Sequence, residues 1–124
     1  MLKFLNVLVA LIALFFVLMW LGWMLKPQDM AQNWGLTAKS IMGLNNLRGD
    51  IGGLFLAGGV FSLLALRGGT AWLNAAAVSM ACVVVGRAAG LVLDGFDRQA
   101  LVSLLIELAF IAVFLATARA RRQT

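Results

Sequence analysis

Arg48, Asp50, Arg87, Asp94 and Glu107 are the residues whose types and positions could do chemistry, because each lies in or at the edge of a long apolar stretch. On insertion scales a charged side chain at the centre of a membrane helix costs about 2.5 to 3.5 kcal/mol, so each needs a partner, a water-filled cavity or an escape to the interface. Guanidinium and carboxylate groups so placed can hold helices together as ion pairs, bind the head of an amphipathic molecule, or pass protons. The densest part is Leu44 to Gly59, LNNLRGDIGGLFLAGG, where Asn45 and Asn46 precede an Arg-Gly-Asp run that leads straight into an apolar segment. That Arg-Gly-Asp would need an exposed loop to act as an adhesion motif, and it reads here as a helix entrance.

Residue types that are missing narrow the chemistry. The chain has no His and no Tyr, which removes the usual ligands of haem and of most zinc, copper and non-haem iron sites. Cys82 is its single cysteine, so an intrachain disulfide and a CxxC redox pair are excluded, and its apolar surroundings predict plain packing. No metal, no cofactor and no catalytic residue is expected, and any enzymatic role would fall to carboxylates acting alone as acid and base.

The elements that must position these groups follow from composition. With 124 residues, 63% of them hydrophobic and 12% charged, the chain cannot hide its apolar surface in one small water-soluble core. Four apolar stretches occupy nearly all of it, at about residues 4–25, 44–66, 71–93 and 100–117. A helix needs about 20 residues to cross a hydrocarbon core of about 30 Å. The expected fold is all-α: one domain, residues 1–124, forming a four-helix transmembrane bundle with up-down-up-down topology. The first stretch ends in Trp20, Trp23 and Met24 with no small-x-small site, so it reads as a retained span with an interfacial aromatic belt. Lys26-Pro27 stops it, and Pro27 to Gly43 reads as a surface segment or loop. Arg67-Gly68-Gly69 makes a tight hairpin, Trp72 is placed as an interface anchor, and Asp97 or Gln99 could cap the last helix.

Charge sets an expected orientation. Lys3, Arg67, Arg119, Arg121 and Arg122 fall at the terminal end with no acid among them, whereas Lys26, Lys39 and Arg98 share the other end with the acids. The positive-inside rule then puts both termini in the cytoplasm, with the bacterial inner membrane as the expected location. The net charge of +5 therefore serves orientation, and nucleic acid is not an expected partner.

Helical spacing arranges the polar residues into stripes. Asn45, Arg48, Gly52, Phe55, Gly59 and Ser62 recur at three-and-four spacing, as do Met80, Val83, Arg87, Gly90 and Asp94, and Ser103, Glu107, Phe110 and Phe114. The three stripes can aim charge at one level in the outer half of the bundle, with Arg48 and Arg87 neutralised by Glu107, Asp50 or Asp94. Gly52, Gly53, Gly58 and Gly59, and Gly86 with Gly90, have the small-residue spacing that lets membrane helices approach closely.

The order R-G-D-x-G-G after an Asn pair, then G-R followed by a D-G turn, then a lone Glu in the last span, resembles the four-helix membrane family catalogued as domain of unknown function 4345. In broad layout it is similar to the DoxX-like small membrane proteins. The resemblance covers most of the chain from Pro27 onward and puts the family's polar signature on Asn46, Arg48, Gly52, Gly53, Arg87, Asp94, Gly95 and Glu107. It implies a fold and a site, and no activity.

The functional expectation is a non-catalytic small integral membrane protein that binds a lipid-like molecule through the cluster Asn45, Asn46, Arg48, Asp50, Arg87, Asp94 and Glu107, or serves as an accessory subunit. Its expected partners are membrane lipid, a hydrophobic small molecule, and a larger membrane complex or further copies of itself. A proton-coupled small transporter is the first alternative, weakened because the first span carries only Asn6 and no acid. A quinone-binding subunit of a membrane oxidoreductase is the second.

Overall fold

In the computed structural model, which describes residues 1–124, the chain is α-helical with short connections. Helix α1 spans Leu2–Leu25, α2 Pro27–Asn33, α3 Ile41–Asn46, α4 Gly53–Leu66, α5 Ala71–Leu93 and α6 Arg98–Arg122, and a π-helical turn, Leu47–Gly52, joins α3 to α4. With that turn, α3 and α4 make one helix over Ile41–Leu66, so four helices of 24, 26, 23 and 25 residues are long and apolar enough to cross a membrane. The second starts three residues before Leu44 because the Ser40 hydroxyl accepts from the Gly43 N–H at 3.0 Å and caps it. The fourth starts at Arg98 behind its cap, Asp97, whose Oδ1 accepts from the Ala100 N–H at 2.7 Å. It continues to Arg122, and three arginines in its last turn suit the negative end of the helix dipole.

The chain divides into two compact units, Leu11–Val60 and Met1–Ala10 with Phe61–Thr124. In the Leu11–Val60 unit, Pro27 forces the break after α1 and then occupies the first turn of α2, where its missing N–H costs nothing. Phe55 contacts Phe15, Phe16 and Trp34, and Trp34 meets Trp23 edge-on at 5.3 Å between ring centroids. Trp23 is fully buried, which corrects the expectation that it belongs to an interfacial belt: its indole fills the space beside Trp34, and its Nε1–H has no hydrogen-bond partner. Gly58 and Gly59 admit α1 at close range, since a Cβ at Gly58 would lie 3.0 Å from the Phe16 ring and one at Gly59 would lie 3.2 Å from Val17 Cγ2. Gly52 faces Met24 and Trp23 in the same way. Gly53 faces open space, so its expected packing role is not met.

The π-helical turn changes the second stripe. A π turn closes with i→i+5 bonds and holds one residue more than the α turn it replaces. Residues before it, such as Asn45, are therefore out of phase with those after it, such as Phe55. Asn45, Asn46, Arg48 and Asp50 are all exposed, whereas Gly52 is buried.

In the other unit, Gly68 and Gly69 take φ of 126° and 82°, values that disfavour side chains, and so turn the chain tightly from α4 to α5. Helices α5 and α6 pack along one another, with Leu73, Ala76, Ala77, Met80, Phe114, Thr117 and Ala118 buried. Gly86 has nothing within contact distance of a Cβ and takes no part in close packing, contrary to expectation. Cys82 also departs from expectation: it is exposed on α5 instead of packed within the chain.

The Phe16 ring is buried, so the few tenths of an ångström it would have to yield to a Cβ at Gly58 must be taken from its own packing. Gly58→Ala is therefore expected to destabilise the protein by about 1 to 3 kcal/mol from overpacking. Gly53→Ala, into open space on a helix, should be neutral or stabilising by up to about 1 kcal/mol. Thermal unfolding of the two variants in mild detergent, followed by tryptophan fluorescence, separates these outcomes.

Candidate functional site

The site is built where α5 runs into α6. Asp94 to Asp97 link the two helices, with Gly95 at φ 111° making the reversal and Asp97 starting α6. Counting back along α5, Arg87 lies about 10 Å from Asp94; counting forward along α6, Glu107 lies about 15 Å from Asp97. The long arginine side chain spans that difference in level. Its Nη2 donates to Glu107 Oε1 at 2.7 Å and its Nε to Oε2 at 3.0 Å, with a longer contact from Nε to Oε1 at 3.2 Å. Two near-parallel bonds of this kind fix orientation as well as charge. The side chains are only 25% and 14% exposed, so the pair is shielded from water far better than a surface ion pair.

Above the pair, Arg87, Gly90, Leu91, Asp94, Gly95, Asp97 and Ala100 line an open cleft of about 290 Å³. Arg87 Nη1 makes no hydrogen bond within the chain, so one edge of the guanidinium has no partner in it. Asp94 Oδ2 lies 3.7 Å from where a Cβ on Gly90 would sit, which places its carboxylate over the small residue on the same helical face as Arg87. Asp97 is partly committed, since Oδ1 caps α6. The cleft thus presents a cationic edge and an anionic edge beside the apolar Leu91. No three His, Cys, Asp or Glu side chains are grouped so as to share a metal ion.

The other sequence-derived candidates are placed differently. Arg48 finds an oxygen without any acid: its Nε donates to the Met24 carbonyl at 3.2 Å, in the last turn of α1, where backbone carbonyls lack helical partners. Asp50, exposed in the π turn, has no ion-pair partner, and Asn45 and Asn46 are exposed beside it. Of the seven residues of the expected cluster, the structure joins Arg87 to Glu107 and sets Asp94 on the same cleft.

Sequence reasoning missed Arg121, which looked like one member of a basic tail. Its Nη1 donates to the Ala65 carbonyl at 2.6 Å and to the Gly69 carbonyl at 3.0 Å, and its Nη2 donates to Asn6 Oδ1 at 2.8 Å. The signal was available: the stripe Ser103, Glu107, Phe110, Phe114 continues at the same spacing through Thr117 to Arg121, and Phe114 and Thr117 are fully buried.

Among known proteins, one family matches, described as "Domain of unknown function (DUF4345)", over residues 4–118. No curated protein and no solved structure matches the chain.

Removing one partner of a shielded ion pair strands the other charge, at a cost of about 3 to 5 kcal/mol when burial is complete. Arg87→Gln and Glu107→Gln should each approach the lower end of that range. The double substitution should recover much of the loss, because no stranded charge remains. A double-mutant cycle of unfolding midpoints in detergent measures the coupling, and additive single effects would show the pair to be energetically idle.

Proposed function

The chain belongs to the DUF4345 family, and on that premise we propose that it is a non-catalytic integral membrane protein that binds the head of a lipid-like amphiphile in the α5–α6 cleft. The observation that carries this reading is the pairing of opposite charges on one small cleft: the unbonded Nη1 edge of Arg87 and the unpaired carboxylate of Asp94. A head bearing both a phosphate and an ammonium complements that arrangement, phosphate toward Arg87 and ammonium toward Asp94. Its chains would run past Leu91 along the exposed apolar faces of α5 and α6, where Val85, Val92, Val102 and Leu105 stand outward. Glu107 acts through Arg87, holding the guanidinium at the cleft wall by two of its nitrogens.

In this reading the four spans run up-down-up-down with both termini in the cytoplasm of a bacterial inner-membrane protein, and the cleft faces the outer leaflet. The support is the segregation of charge. Lys3, Arg67, Arg119, Arg121 and Arg122 have no acid near them in sequence, whereas Asp94 and Asp97 mark the α5–α6 turn. Service as an accessory subunit of a larger complex is compatible with the same cleft, with the bound amphiphile or a partner helix as occupant.

Native mass spectrometry of the full chain released from nanodiscs containing phosphatidylethanolamine tests the reading. Retention of that lipid is expected, with loss of about tenfold in affinity or more in Asp94→Asn, whose carboxylate has no hydrogen bond within the chain to lose; that figure corresponds to about 1.4 kcal/mol. Retention equal in the native chain, Asp94→Asn and Arg87→Gln would remove the cleft as a binding site.

A further inference from the structure

We propose a second site at the opposite end of the α5–α6 pair: a ring of basic residues around Arg121 that binds the phosphate of an anionic phospholipid. The starting observation is a half-buried cation whose hydrogen-bond partners are all neutral. Arg121 is held by two backbone carbonyls and the Asn6 side-chain oxygen, and by no carboxylate. Those bonds fix its position without cancelling its charge, which is costly at the edge of a low-dielectric region unless an anion is close by.

The same three bonds gather other cations around it. Asn6 brings the start of α1, where Lys3 lies one turn earlier on the same face. Ala65 brings the end of α4, with Arg67 two residues on, and Arg119 and Arg122 stand on other faces of the same last turn of α6, so that the basic side chains surround that helix end. Lys3, Arg67, Arg119 and Arg122 are exposed, and none makes an ion pair. The five acids of the chain, Asp29, Asp50, Asp94, Asp97 and Glu107, all lie elsewhere in it. The structure therefore places five positive side chains at helix ends and pairs none of them with a carboxylate.

A phospholipid is the occupant that fits. The ring lies at the ends of helices long enough to cross a bilayer, where headgroup phosphates are concentrated. Arginine offers paired N–H donors that match phosphate oxygens. This site is independent of the cleft beside Arg87 and shares no residue with it.

The test uses the full chain in nanodiscs of equal parts phosphatidylglycerol and phosphatidylcholine, with the ratio of the two lipids retained on the released protein as readout. Phosphatidylglycerol should be enriched. Each of Arg67→Gln, Arg119→Gln and Arg122→Gln should lower the enrichment by up to about fivefold, taking about 1 kcal/mol for each basic residue near an anionic surface. The triple variant should abolish it. None of the three side chains has a hydrogen bond in the structure to lose, so folding is not at stake, and Lys26→Gln with Lys39→Gln serves as a control for charge removed elsewhere. Absence of enrichment, its survival in the triple variant, an equal loss in the control, or its displacement by inorganic phosphate would each overturn the proposal.

Discussion

Where water is scarce, a guanidinium must be given oxygen by the chain itself, and much of this structure answers that demand. Arg87 takes both oxygens of Glu107 and so ties α5 to α6. Arg48 takes the Met24 carbonyl left over where Pro27 interrupts the chain after α1. Arg121 takes carbonyls at the end of α4 and in the glycine turn, together with the amide oxygen of Asn6. Two of the three use backbone oxygens at helix ends, which lack partners within their own helices. For Arg48 one bond then meets two requirements, the cation's and the carbonyl's, whereas the Ala65 carbonyl shares its oxygen between Arg121 and the Gly68 N–H.

Packing elsewhere is governed by shape. The Leu11–Val60 unit is filled by aromatic rings around Phe55 and by glycines that let α1 come close. Its one buried side-chain polar atom without a partner, the Trp23 N–H, sits inside that cluster, where losing a hydrogen bond costs on the order of 1 to 3 kcal/mol. The edge-on Trp23–Trp34 contact offsets part of that cost.

Hydropathy made the four long helices legible in the sequence, and side-chain chemistry made the Asp97 cap and the Arg87–Glu107 pairing legible. Both partners of that pair announce themselves as charges on stripes that face one another. Arg48 was harder to read because its acceptor is a backbone carbonyl, and no residue type advertises a carbonyl. The π turn was invisible for a related reason: it leaves the residue types unchanged and alters only the hydrogen-bond step, so a stripe drawn at three-and-four spacing through Leu47–Gly52 joins residues that differ in phase. Arg121 was hidden by its neighbours, since three arginines together look like a charge run unless the buried stripe is followed to its end. Glycine spacing alone could not separate Gly58, pressed against Phe16, from Gly86, which touches nothing, because both satisfy the same pattern.

Arg121 also has a temporal meaning. Asn6, Ala65 and Gly69 all precede it in the chain, so during synthesis the end of α4 and the glycine turn emerge well before the side chain that will bond their carbonyls. Until α6 is nearly complete the Gly69 carbonyl and the Asn6 amide oxygen depend on water or on headgroups for hydrogen bonds, while the Ala65 carbonyl already accepts from the Gly68 N–H at 3.2 Å. The bonds of Arg121 reach back across 56, 52 and 115 residues, so they can form only after the contacts within α1, α4 and the glycine turn are available.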